Sequence, residues 1–261
     1  MFSVLKKWSN LFASPSPPRL TAPLIEEVVS EETYNNYAFI ISGKINYFNE
    51  LTTELKLKFI CRVHNYIKGK EFHYIGLEHK DEIPVLIAAS AIQVTLGLKS
   101  YQMSQFKNIY ILADAYRMDN DEELYIGHVV PEGIYISWKH FLYGYADNTD
   151  NINVAIHEMS HALVFNNYFA QYGADKNFRL NYEKFSTTTG PILADVITKR
   201  KSYLRSYAFS NIHEFWAVSV EAFFENPAGL KENMPNLFVA LCRVLNQDPL
   251  SKNKILKSEL C

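Results

Sequence analysis

Two histidines four residues apart, His157 and His161, sit inside a largely apolar run from Val154 to Val164. A helix turns about 100° per residue, so it puts both imidazoles on one face, one turn apart. Val154, Ile156, Met159, Leu163 and Val164 surround them, so the fold has to bury that helix. Asn151 or Asn153 is placed to cap its start. Two imidazoles arranged this way reach one Zn²⁺ at about 2.0–2.1 Å. Glu158, turned off their face, is placed to bond the metal's water and take its proton. The competing reading is a core helix whose histidines only satisfy hydrogen bonds.

A catalytic metal site needs a third ligand, and His213 and Glu214 lie 52 and 53 residues beyond His161. No His-x-x-Gly-x-x-His extension follows His161, which argues against a three-histidine site. Glu214 would complete a His₂Glu set and leave the fourth position open. Asn211, three residues earlier, offers another fate, a capping box in which the carboxylate turns back to the helix start. Spacing alone does not choose between them. His213 points about 100° away from Glu214 and suits the role less. Glu221, seven residues after Glu214, lies about 20° off the same face. It either accepts the distal N–H of a metal-bound histidine or forms an exposed ion pair. Lys199, Arg200, Lys201 and Arg205 make a basic cluster, read as a solvated face or as steering for a carboxylate-bearing substrate.

Around this centre the pattern is helices, then strands, then helices, which predicts an α+β fold, mainly helical. Helices are expected over Pro23 to Asn35, along Leu51, Leu55, Phe59, Val63 and Ile67, and over Ile83 to Leu98. Asn108 to Ala113, Leu124 to Val130 and Gly133 to Trp138 are short and rich in β-branched and aromatic residues. Asp119-Asn120-Asp121 and Pro131-Glu132-Gly133 separate them as turns, and a small antiparallel sheet is expected. Gly133 to Trp138 would offer an edge for an extended peptide if it lay outermost. Later helices are expected over Asn153 to Tyr168, Asn211 to Phe224 and Asn233 to Leu245, with a mixed stretch from Pro191 to Tyr207. Residues 1–18 read as an amphipathic segment (Phe2, Leu5, Trp8, Leu11, Phe12) and a Pro-rich linker. Residues 19–261 read as one domain, helical over 19–105, with the sheet and metal site over 106–261.

Composition excludes several other classes. With 26 basic and 28 acidic residues the 261-residue chain has a net charge of −2, so no basic field recruits nucleic acid. Three cysteines (Cys61, Cys242, Cys261) are too few for a disulfide framework, and a reducing cytoplasm is the expected compartment. The most apolar stretch, Ile83 to Leu98, is broken by Ser90, Gln93 and Thr95 and falls short of the ~20 residues a membrane span needs.

The run from Tyr207 through Glu214-Phe-Trp-Ala-Val to Glu221-Ala-Phe-Phe resembles the second signature of the Mlc titration factor A family of zinc peptidases. That signature has a Tyr, a Glu seven residues on, Phe-Phe-Ala-Val, and a later Glu before a Phe pair. Asp81 to Ala89 and Gly133 to Trp138 are similar to the family's helix before the sheet and its strand before the zinc helix. The anthrax lethal factor catalytic domain is similar in its Tyr-to-Glu spacing. The resemblance implies Zn²⁺ on His157, His161 and Glu214, Glu158 as general base, and Tyr207 as an oxyanion donor. It implies an aminopeptidase acting on peptide or protein substrates. The family is named for sequestering a glucose-responsive transcriptional repressor, so a binding role toward such a partner is the second expectation. Ala162-Leu163-Val164 departs from the family, which usually has a polar residue and then Leu-Asp there.

Overall fold

The computed structural model describes residues 28–118, 123–147, 150–169, 173–199 (backbone only over 191–199) and 203–256. The amphipathic segment and linker of residues 1–18, the turn at Asp119-Asn120-Asp121 and Cys261 lie outside them. Helix α1 (Glu31–Ser42), the single turn α2 (Asn46–Asn49) and α3 (Thr53–Lys68) come first. Ser30 and Thr52 start α1 and α3 by accepting the backbone N–H of Thr33 and Leu55. Strand β1 (Glu71–Ile75) leads through α4 (Glu82–Thr95) to β2 (Asn108–Leu112). Strands β3 (Gly127–Val130) and β4 (Gly133–Ser137) form a hairpin over the two-residue turn Pro131-Glu132. Then follow α5 (Trp138–Ala146), α6 (Val154–Phe169), α7 (Lys176–Lys199), a 3₁₀ turn (Ser206–Phe209), α8 (Ile212–Glu225), α9 (Pro227–Asn233) and α10 (Pro235–Leu245). The fold is α+β, as the element order predicts. The stretch from Pro191, expected to be mixed, continues α7 as far as Lys199.

The sheet differs from the antiparallel one expected. Its order is β1-β2-β4-β3, with β1/β2 and β2/β4 parallel and only β3/β4 antiparallel. The cause is topological: α4 is a crossover between β1 and β2, and a crossover returns the chain parallel. β1 itself was not among the expected strands, and it comes from the helical stretch 19–105. β4, the core of the Gly133 to Trp138 run, is paired on both sides and offers no edge. The edge on that side belongs to β3.

One face of the sheet carries Ile109, Ile111, Ile134 and Ile136 into the core. The other carries His73, Tyr110, Tyr135 and His128, opposite one another in register and stacked at centroid distances of 4.7, 4.3 and 4.5 Å. Such cross-strand aromatic pairs help fix the register. α4 is buried along nearly its whole length, and Arg62 of α3 closes its end by donating to the carbonyls of Thr95, Leu96 and Leu98 at 3.4, 3.3 and 2.9 Å. Carbonyls at a helix end lack the intrahelical N–H partners of its interior, and a buried cation supplies further donors.

α6 is enclosed by α4, α8 and the sheet, as its apolar run requires. Trp216 of α8 donates its indole N–H to the Ser160 carbonyl at 3.0 Å, and Phe178, Tyr182 and Phe185 of α7 meet its ring nearly edge-on. The two site-bearing helices are thus locked by packing as well as by polar contacts. Among the described residues no helix is long and apolar enough to cross a membrane.

Gly97, just past α4, holds the chain against the end of α10. A methyl group there would lie 2.4 Å from the carbonyl oxygens of both Leu245 and Asn246. Gly97→Ala is expected to cost about 1–3 kcal/mol in urea unfolding. Gly190→Ala, where nothing lies within 4 Å, should cost nothing. Equal midpoints for the two variants would contradict this packing.

Candidate metal centre

Three donor atoms converge at the open side of α6. His157 Nε2 lies 3.1 Å from Glu214 Oε2, His161 Nε2 lies 3.5 Å from the same oxygen, and the two nitrogens are 3.0 Å apart. A small tetrahedral cation bonded at about 2.0–2.1 Å spaces its ligands about 3.3 Å apart, and these separations match that spacing. Glu214 Oε2 is buried and has only the two imidazole nitrogens close to it. His157, His161 and Glu214 therefore fit a metal ion, and they form the metal-competent cluster among the described residues.

The two fates open to Glu214 turn out to use different atoms. Asn211 caps α8 by accepting the backbone N–H groups of His213 and Glu214 at 2.9 and 3.1 Å. The Glu214 carboxylate is left to face the histidines. Burial would raise its pKa, but hydrogen bonds from His157 and His161 outweigh that and hold it well below the usual carboxylate range. His213 lines the same cavity outside the triad.

Glu221 has no exposed surface, which excludes the exposed ion pair. Its Oε1 accepts from His157 Nδ1 at 2.7 Å and from Arg205 Nη2 at 2.6 Å, and its Oε2 accepts the Asn153 backbone N–H at 2.7 Å. With Nδ1–H donated to a carboxylate, the tautomer of His157 is fixed and Nε2 faces the cluster. Burial lowers the His157 pKa, yet the charges of Glu221, Glu214 and Glu158 overcome it and push it up to about 10. The surrounding carboxylates thus favour positive charge beside His157.

Glu158 is buried and lies beside β3: a Cβ on Gly127 would come within 2.7 Å of its Cγ and 2.8 Å of its Oε1. Its Oε2 makes no regular hydrogen bond. Burial, aided by Glu214 and Glu221 and opposed by His157, pushes its pKa up to about 8. A cation at the triad would pull it down again. Tyr207, in the 3₁₀ turn, places its ring centre 6.0 Å from that of His157. Burial and the carboxylates of Glu214 and Glu158 keep its phenol protonated, hence a hydrogen-bond donor. All of these residues line one cavity of about 420 Å³, closed on one side by the stretch Glu123 to Val129.

Residues 26–245 match the family model described as glucose-regulated metallopeptidase M90. The chain belongs to the M90 metallopeptidase family. This is the family of the Mlc titration factor, in agreement with the resemblance carried by its two motifs. The chain is also similar to the uncharacterized protein slr2042 of Synechocystis sp., 24% identical over 263 residues that cover 92% of this chain and 88% of that protein. An M90 metallopeptidase cleaves peptide or protein substrates with a metal ion, and the cluster fits one.

Two contributors are not evident from the M90 sequence alone. Arg205 appeared only as part of a basic cluster, but it is tied to buried Glu221 and sits 5.8 Å over the Tyr207 ring. Arg200 and Lys201 of that cluster lie outside the described residues. Gly127 left a usable signal, an isolated glycine in a strand-forming run, which marks a close approach by another group. Glu221→Gln and Arg205→Met should each weaken binding of Zn²⁺ by about 10–100-fold, measured by competition with a chromogenic chelator. Unchanged affinity in both would detach Glu221 from the metal centre.

Proposed function

We propose that the chain is a zinc-dependent peptidase that removes residues from free N-termini. The observation that carries it is the convergence of His157, His161 and Glu214 beside buried Glu158 in one open cavity. Two imidazoles and one carboxylate are the donor set of catalytic zinc, which leaves a position for water. Zinc bound there would polarise the scissile carbonyl and acidify water. Glu158 accepts the proton of the attacking water and passes it to the leaving amine, a role suited to a buried carboxylate that a neighbouring cation keeps ionised. Tyr207 donates its phenolic proton in a hydrogen bond to the oxygen on which charge develops. Glu221 keeps His157 oriented, and Arg205 shares that carboxylate while its backbone opens the turn that carries Tyr207. Edge strand β3 supports an extended peptide pairing alongside. The preference for free N-termini rests on the family resemblance, and the two free buried thiols, Cys61 and Cys242, suit the reducing cytoplasm.

The test is hydrolysis of a mixed peptide set, half with blocked N-termini, by zinc-loaded protein. Cleavage confined to unblocked peptides is expected. Cleavage of blocked ones would make it an endopeptidase, and no cleavage despite bound zinc would favour sequestration of a partner such as a transcriptional repressor. Glu158→Gln should keep its zinc and lose about 10²–10⁴-fold in kcat. Tyr207→Phe should lose about 10²–10³-fold in kcat with little change in KM. Gly127→Ala, which forces a methyl group onto Glu158, should lower kcat without releasing zinc. Wild-type turnover in Glu158→Gln would remove Glu158 from the mechanism.

A further inference from the structure

The cavity beside the metal cluster has a second character that the polar residues do not explain. Twelve large hydrophobic side chains are exposed among the described residues, and four of them, Leu124, Ile126, Ile152 and Tyr207, line this one cavity. Leu124 is 60%, Ile126 39% and Ile152 46% exposed. Apolar side chains grouped in a concave site are the usual mark of a ligand surface, whereas singly scattered ones need no explanation.

These residues are also held in place. Tyr125, between Leu124 and Ile126, exchanges two backbone hydrogen bonds with Tyr116 at 2.9 and 2.8 Å. The Ile126 carbonyl accepts from the Ser137 N–H at 2.8 Å. Ile152 donates its N–H to Asp150 at 2.9 Å, and the next residue, Asn153, is bound to buried Glu221. The rim therefore presents its apolar surface on fixed backbone at both flanks, one on the approach to β3 and the other at the start of the ligand helix.

We propose that this rim is the side-chain subsite of the peptidase, and that it selects substrates with a large aliphatic or aromatic residue beside the scissile bond. The proposal rests on the peptidase reading above and adds the substrate class. Arg205, the cation on the cavity wall, is engaged by Glu221, so an acidic side chain gains little there. Glu123 also lines the cavity, which makes lysine the decisive competitor.

The experiment compares Leu, Met, Phe, Lys and Glu aminoacyl amides as substrates of the zinc-loaded protein. In parallel, leucine, lysine and glutamate hydroxamates are titrated into zinc-loaded Glu158→Gln. Leu, Met and Phe amides should exceed Lys and Glu by about 10-fold or more in kcat/KM, and leucine hydroxamate should bind tightest. Ile152→Ser and Leu124→Ser should compress that preference to within about threefold, while Leu57→Ser, an exposed leucine on α3, keeps it. Equal handling of Leu and Lys, or an undiminished preference in both rim variants, would overturn the subsite. If no amide is turned over, the hydroxamate ranking still decides the subsite, and only the peptidase reading fails.

Discussion

A carboxylate with no access to water must be neutralised where it lies, and Glu221 is such a group. Leaving its charge unpaired in the interior would cost several kcal/mol, more than most single contacts return. The structure brings three donors to it from three places: the Asn153 backbone N–H at the start of α6, His157 one turn along, and Arg205 at the entry to the 3₁₀ turn. Because Glu221 belongs to α8, that one side chain fixes the position of α6, of α8 and of the turn carrying Tyr207 relative to one another. The convergence of His157, His161 and Glu214 follows from this arrangement. A slip of either helix would disturb the Glu221 contacts and the cluster together.

The sheet supplies the opposite wall. Its core face of isoleucines packs inward, and the hairpin of β3 and β4 brings Gly127 against Glu158, where only a hydrogen fits. The carboxylate is held between its own helix and an edge strand, within reach of the cavity yet shielded from bulk water. The same strand leads into the apolar rim at Leu124 and Ile126. The wall behind Glu158 and the apolar rim are therefore consecutive parts of one short stretch of backbone.

Much of this is legible in the chain itself. The helix of the cluster announces itself because two histidines four apart in a largely apolar run share one face, and the candidates for a third donor, His213 and Glu214, fall on one later helix. The sequence leaves cap and ligand as rivals there, since spacing cannot show that Asn211 takes the backbone and leaves the carboxylate to the histidines. The parallel pairing was hidden because it depends on α4 acting as a crossover, a tertiary fact with no local pattern. β1 is only five residues long, Glu71-Phe-His-Tyr-Ile75, with both ends exposed, so no clean alternation marks it. Arg205 was lost among neighbouring charges because its partner lies sixteen residues away on another element.

The central claim is that one metal ion is held by His157, His161 and Glu214, and anomalous diffraction tests it most directly. Crystals of the zinc-loaded full chain, measured on either side of the zinc absorption edge, should give one strong difference peak. It should lie about 2.0–2.2 Å from His157 Nε2, His161 Nε2 and a Glu214 carboxylate oxygen. A peak at any other group of side chains, or none there despite stoichiometric zinc in solution, would contradict the account.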